Sequence, residues 1–314
     1  MDSLVQLDLH QPPDPRAPKL RPRLPEFLRK PETSHMAVQS LKNGMRARHL
    51  HTVCESARCP NMHECFHRGA ATFMILGNIC TRGCTFCSVP KGSPEKREMP
   101  LDAAEPENVA RMAAEMKLSY VVITSVNRDD LPDGGSHHFA ETVRQVRTAL
   151  PEARVEVLTP DFCGDHAAVA RVLEAGPHVF NHNMETVERL YRKVRPQADY
   201  RQSLDVLSFA RRHRPESLVK SGLMVGLGET EEEVNLLLAD LHAAGAQIAT
   251  IGQYLQPTRR NLAVAEYVPL DRYERWRAFG EQAGLANVFA GPFVRSSYMA
   301  DLVHARAAAE GATP

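Results

Sequence analysis

The sequence predicts an α/β protein: a parallel sheet covered by helices, of the partial TIM-like barrel kind with six β/α units. Two observations predict it. Short apolar runs alternate with helix-like stretches six times from residue 71 onward. The runs are mostly unbroken by polar residues, as strands buried on both faces require. Six units are too few for a closed barrel of eight. An open or partial barrel fits the count, and periodicity alone leaves a doubly wound sheet open as well.

In chain order, residues 1–31 carry Pro12, Pro13, Pro15, Pro18, Pro22, Pro25 and Pro31. Proline at that density excludes regular helix or central strand, so this stretch reads as an extended arm. Residues 32–70 form an N-terminal extension, with a helix over 33–48 from the spacing of Met36, Leu41 and Met45. A first cysteine group follows on an expected loop, 54–65. The barrel spans 71–270, with strands at 71–76, 120–124, 155–158, 179–181, 218–225 and 248–252. Helices are expected at 105–116, 136–149 and 166–175, as a pair within 185–212, and at 231–243. Residues 271–314 form a short C-terminal extension, with a helix over 272–283, a strand near 288–290 and a final helix from about Met299. The first strand runs directly into Cys80, and parallel α/β folds bind ligands beyond the carboxyl ends of their strands.

Lysine plus arginine and aspartate plus glutamate number 38 each, which argues against a general nucleic-acid binder. No run approaches the roughly 18 apolar residues of a membrane span. The first residues show no basic stretch followed by a long apolar one, and Asp2, Asp8 and Asp14 speak against a mitochondrial presequence. A cytoplasmic protein is expected. Six of the seven cysteines fall between Cys54 and Cys87. In a reducing compartment such clustering indicates metal ligands rather than disulfides. Cys163 stands alone, and it and most of the 14 histidines read as structural.

Cys80, Cys84 and Cys87 form a C-x3-C-x2-C pattern. A four-iron cube needs one ligand per iron, so three cysteines leave one iron open to a cofactor. The alternative is a zinc knuckle, which wants a fourth ligand nearby; His67 could complete one, though nothing in its spacing asks for it. Cys54, Cys59 and Cys65 form C-x4-C-x5-C, which alone is ambiguous between zinc, a cluster and scattered thiols.

With Phe86 before its last cysteine, Cys80-Thr81-Arg82-Gly83-Cys84-Thr85-Phe86-Cys87 resembles the signature of the radical S-adenosylmethionine superfamily. The resemblance implies a [4Fe–4S] cluster whose open iron chelates S-adenosylmethionine, and reductive cleavage of that cofactor to a radical that takes hydrogen from unactivated carbon. The wording around Cys54, Cys59 and Cys65 is similar to the lipoyl synthase family, where those cysteines bind an auxiliary [4Fe–4S] cluster. The family closes that cluster with a serine of an R-S-S-Y motif, matched by Arg295-Ser296-Ser297-Tyr298. Ser297 is the ligand implied; read without the family, the serines would cap a terminal helix.

The same resemblance implies the remaining site. Phe86, Thr124, Ser125, Asn127, Asn181, Asn183, Glu185 and Arg195 are its cofactor-binding candidates. Asn127 opens a loop similar to the one beside the methionine end of the cofactor. Asn181, Asn183 and Glu185 can hydrogen-bond ribose hydroxyls and an ammonium, with helix capping by Asn183 the alternative. Arg195 can hold a carboxylate bidentately, or can end a solvated basic helix. The glycines of 222–228 permit close approach to a flat ring. Phe66 and Met299 depart from the family's usual tryptophan and histidine; neither is a proposed ligand. The activity implied is insertion of two sulfur atoms, at C6 and C8 of an octanoyl-lysine on a carrier protein, with the auxiliary cluster as sulfur source. The implied partners are an octanoylated carrier (glycine-cleavage H protein or 2-oxoacid dehydrogenase E2 type) and a ferredoxin- or flavodoxin-like electron donor, with no nucleic acid and no membrane. A radical methylthiotransferase and a non-enzymatic zinc module are the rival readings.

Overall fold

The computed structural model describes residues 24–28, 36–56, 59, 61–67, 70–93 and 99–297. Most of the proline-rich arm and the helix expected from Met299 lie outside them. Ahead of the sheet stand α1 (Met36–Ala47), α2 (Val53–Ser56) and α3 (Met62–His67). The first cysteine group was expected on a loop. Instead Cys54 lies in α2 and Cys65 in α3, with Cys59 between them. Nothing in Val53–Ser56 or Met62–His67 resists a helical turn, and Pro60 in the sequence between them forbids one continuous helix.

The repeating units follow as β1 (Ala70–Ile75), α4 (Glu105–Glu115), β2 (Tyr120–Ser125), α5 (Ser136–Ala149), β3 (Arg154–Leu158) and α6 (His166–Glu174). Next come β4 (Val179–Asn181), α7 (Tyr191–Val194), α8 (Tyr200–His213), β5 (Leu218–Val225) and α9 (Glu231–Ala243). The chain continues through β6 (Ile248–Gln253), α10 (Leu270–Gln282) and β7 (Asn287–Gly291). Capping explains several sharp helix starts. Asp165 accepts the Ala167 N–H at 2.8 Å, Asp199 accepts that of Gln202 at 2.8 Å, and Thr230 forms a capping box with Glu233.

All seven strands are parallel and lie in chain order, β1 to β7. With no reversal there is no topological switch point, so the sheet is wound one way as in a barrel and not doubly wound. Right-handed crossovers then put the helices on one face. The strand expected near 288–290 joins the sheet as β7, and β1 and β7 form its two edges.

Alternation sorts each strand into two faces. Val121, Ile123, Val155, Val157 and Val219 belong to the large core shared with helical Val143, Val169, Leu173 and Leu207. Val179, Leu218 and Ile248 form a separate small cluster with Phe289, and Tyr120 pairs with Val122, on the inner face. Each such side chain contributes about 1.5–3 kcal/mol by burial. Inside the barrel lies an ion pair with no exposure on either side chain: Lys220 Nζ sits 3.0 and 3.2 Å from the Glu156 oxygens. Tyr120 Oη donates to Glu156 at 2.8 Å and Asn181 Nδ2 at 3.0 Å. Four strands are thereby held in one register at the level just below the site.

Candidate active site

β1 ends in a sharp turn, with Leu76 and Gly77 both left-handed at φ 68° and 85°. That turn launches the loop carrying Cys80, Cys84 and Cys87, and the loop is fastened on every side. The Cys80 N–H donates to the Pro90 carbonyl at 2.9 Å, and Thr81 N–H to Asn127 O at 3.1 Å. Thr85 N–H reaches Val194 O at 2.9 Å, and Asn261 Nδ2 reaches Cys87 O at 2.9 Å. Arg82, buried within the loop, donates to Asp129 and to Asp161. The Asn127 N–H donates to Cys80 Sγ at 3.3 Å.

The second trio is tied down at both ends. Met74 N–H donates to His51 O at 2.9 Å, bridging the segment ahead of Cys54 to β1. Asn61 Nδ2 donates to Phe293 O at 2.6 Å, fastening the cysteine segment to the C-terminal motif. Gly252 permits that motif's approach, since a Cβ there would lie 2.0 Å from Val294 O.

These elements enclose a cavity of about 370 Å³ at the carboxyl ends of the strands. Cys54, Cys59, Cys65, Cys87, Phe86, Asn183, Glu185, Ser296 and Ser297 all line it. Of the candidates, Cys80 and Cys84 sit behind this lining, as do Thr124, Ser125, Asn127, Asn181 and Arg195. The Thr124 hydroxyl donates to Leu158 O at 3.0 Å, leaving Ser125 Oγ, buried and unpartnered, as the available hydroxyl of β2. Asn181 belongs to the Glu156 network, with its Oδ1 unpartnered. Asn183 donates to Glu185 at 3.0 Å and to Ser296 Oγ at 2.7 Å, and its own Oδ1 is unpartnered. It caps no helix, so that alternative falls. Both serines line the cavity, and of the two it is Ser296 whose hydroxyl accepts from Asn183. What crowds Gly222 is Asn183, Thr250 and Ser296, the last 3.2 Å from where its Cβ would stand.

Arg195 Nη1 donates to Asn183 O at 2.8 Å and to Tyr191 Oη at 3.3 Å, so it braces the turn that carries Asn183 and Glu185. Burial raises the Cys84 thiol pKa against the pull of Arg195, and pushes Cys87 up to about 11. Cys54 is raised by its hydrogen bond to Cys59 and by burial. Burial also raises Glu185. These thiols are therefore protonated without metal and must lose protons to bind it.

Does this donor set suit iron–sulfur cubes? None of the seven cysteines is in a disulfide. Among the described residues no three His, Cys, Asp or Glu side chains gather closely enough for one metal ion. Three cysteines in each trio match one ligand for each of three irons of a cube, whereas a structural zinc wants four. The unpartnered atoms of Ser125, Asn181 and Asn183 at the strand ends await a polar ligand. The residues fit.

Some of the site was not anticipated. Asp129 and Asp161 clamp Arg82, and His182 lies fully buried behind them. Cys163, exposed and left-handed, lies against Arg82 at 3.4 Å and outside the cavity. Asp129 lies in the loop that Asn127 opens and His182 between Asn181 and Asn183, so both sat in segments the resemblance marked, whereas Asp161 was not singled out. Among the described residues no helix is long and apolar enough to cross a membrane.

Residues 74–241 match the radical SAM superfamily, whose members pair a [4Fe–4S] cluster with S-adenosylmethionine. Among solved structures, the chain is similar to the FeFe-hydrogenase maturase of Carboxydothermus hydrogenoformans (TM-score 0.52, 13% identity, 87% of this chain and 77% of that one). Coproporphyrinogen III oxidase from Escherichia coli is another (TM-score 0.52, 16% identity, 69% and 53%). At such identities these likenesses speak for the fold alone. Curated relatives are far nearer. Lipoyl synthase of Haemophilus ducreyi is 52% identical over 88% of this chain and 85% of its own. Lipoyl synthase of Thermus thermophilus is 51% identical over 89% and 86%. On that identity, over nearly the full length of both chains, this protein belongs to the lipoyl synthase family of radical S-adenosylmethionine enzymes.

Proposed function

We propose that this lipoyl synthase inserts sulfur at C6 and C8 of an octanoyl group carried in amide linkage on a carrier-protein lysine. Cys80, Cys84 and Cys87 would hold the cluster that works with S-adenosylmethionine. Cys54, Cys59, Cys65 and Ser297 would hold an auxiliary [4Fe–4S] cluster. When bound, the first group supplies a radical able to take hydrogen from unactivated carbon, and the second supplies sulfide. The chain's own residues do the rest. Phe86, Val89, Leu158, Met224 and Leu255 give the cavity apolar walls suited to a saturated chain. They also exclude water from a reactive carbon centre.

Asn183 and Glu185 offer an amide and a carboxylate to the cofactor's hydroxyls and ammonium, and Ser125 and Asn181 have atoms free for the same work. Thr124 and Asn127 support that wall from behind, and Arg195 braces the turn. The carrier is of the glycine-cleavage H protein or 2-oxoacid dehydrogenase E2 type, and a ferredoxin- or flavodoxin-like protein is the electron donor. A reducing compartment such as the cytoplasm would keep the six thiols available, which supports a cytoplasmic setting.

One observation carries the reading: Cys87 of one trio, all three cysteines of the other and Ser297 line a single cavity. A carbon centre made at one side meets sulfur at the other without leaving, which is an orientation requirement. The test is incubation of the reduced, iron-loaded protein with S-adenosylmethionine and an octanoyl-lysine peptide. Mass spectrometry is expected to show the peptide gaining two sulfurs. Cofactor cleavage with no thiolated peptide would reject the proposal.

A further inference from the structure

Among the described residues four Lys and Arg side chains are buried and Arg295 is half-buried, and these five fall into two kinds. Arg82, Arg128 and Lys220 each face a carboxylate: Asp161 with Asp129, Asp130, and Glu156. Among the described residues, Arg195 and Arg295 have no carboxylate within ion-pairing distance. Arg295 Nη1 instead donates to two backbone carbonyls, Pro292 at 3.3 Å and Val294 at 2.6 Å. It lines the cavity alongside Cys54, Cys59 and Cys65. Gly252 makes room for it, since a Cβ there would lie 3.0 Å from Arg295 Nη1.

A guanidinium partly withdrawn from water, with no carboxylate to pair with, favours an anion beside it. Cys54, Cys59 and Cys65 face the same cavity, and among the described residues no carboxylate pairs with this guanidinium. The missing countercharge therefore lies on the cysteine side of the cavity. A cube held by three thiolates carries net negative charge and would meet this cation there.

We infer that Arg295 is a positioning residue for the auxiliary cluster, its guanidinium supplying the positive charge against which Cys54, Cys59 and Cys65 hold the cube. This rests on the reading of that trio given above. It predicts opposite consequences for the iron-free and the loaded protein. Without iron Arg295 is a half-buried charge with no carboxylate partner; with iron it is one half of a pair.

The test compares Arg295→Gln, which keeps a donor for the two carbonyls and removes the charge, with Arg295→Lys, which keeps the charge. Iron-free Arg295→Gln is expected to melt at or above the wild-type temperature. After reconstitution and a chelator challenge it should fall to roughly half the iron of wild type, the share of one cube of two. Arg295→Lys should retain iron as wild type does. A side chain that only packs gives the reverse pattern. Lower melting of the iron-free Gln variant, unchanged iron retention, or a Lys variant that loses iron like Gln would each overturn the assignment. Wild-type protein that binds only one cube's worth of iron would instead reject the reading of the trio itself, before any variant is compared.

Discussion

Arg82 and Asp161 meet in a two-pronged ion pair, Nη1 to Oδ2 at 2.9 Å and Nη2 to Oδ1 at 2.6 Å, with both side chains almost wholly buried. Asp129 takes the remaining edge of the same guanidinium, with Nε to Oδ2 at 2.7 Å. One residue between the first two cysteines thus locks their loop to the ends of β2 and β3. The pairing holds the Asp161 carboxyl well below the usual range. Arg82→Met leaves a buried carboxylate without its cation, and that costs about 3–5 kcal/mol. The expected result is a lower denaturant midpoint together with loss of first-cluster iron. Asp161→Asn, which keeps an acceptor and leaves Asp129 in place, should be milder on both measurements.

Gly252→Ala tests the approach of the C-terminal motif. The added carbon would sit 2.0 Å from Val294 O, a backbone atom that cannot swing aside. The strand is expected to survive while the 294–297 segment is pushed outward, carrying Ser297 from the cavity. Sulfur insertion should fall at least ten-fold while cofactor cleavage continues. Equal loss of both would mean that the barrel itself had been damaged.

His182 gives a pH signature. Its Nδ1 bonds the Thr159 carbonyl at 2.9 Å, Nε2 is buried without a partner, and burial with Arg195 nearby depresses the pKa to about 4. The unfolded chain, with a histidine near 6.5, then binds the proton more readily than the folded one. Stability from this group is present above that value and is lost as pH falls from about 6.5 toward 4. The loss between pH 7 and pH 5 should be about 2 kcal/mol in denaturant titrations of the iron-free protein. His182→Gln should flatten that slope; an unchanged slope would assign it to other groups.

Lys220 and Glu156 form the ion pair inside the barrel. Lys220→Met strands the Glu156 carboxylate and should cost about 3–5 kcal/mol, whereas Lys220→Met with Glu156→Leu should recover most of it. Denaturant midpoints of the two single variants and the double variant would measure the coupling. Additive losses would show that the two side chains act independently.

The strands were legible because each is buried on both faces, which leaves an apolar run bounded by polar turns; all six barrel strands fall within one residue of the spans read from sequence. The capped helices α6, α8 and α9 were legible for a similarly local reason, a polar residue ahead of an apolar stripe. The short helices holding Cys54 and Cys65 were not, since a single turn leaves too little periodicity to read. Both cysteine trios and the terminal serines could be named from sequence because spacing and wording are local.

What sequence alone determined is therefore the inventory: a parallel α/β fold, six thiols in two sets, and a serine pair 209 and 210 residues beyond Cys87. Tertiary structure alone decided which of these share a cavity, that Ser296 is taken by Asn183 while Ser297 is not, and that Thr124 turns into the sheet while Ser125 stays unpartnered. It also decided which buried arginines find a carboxylate. The physical reason is that hydrogen bonds and ion pairs act over a few ångströms of space, and only the folded barrel mouth brings distant parts of the chain within that reach.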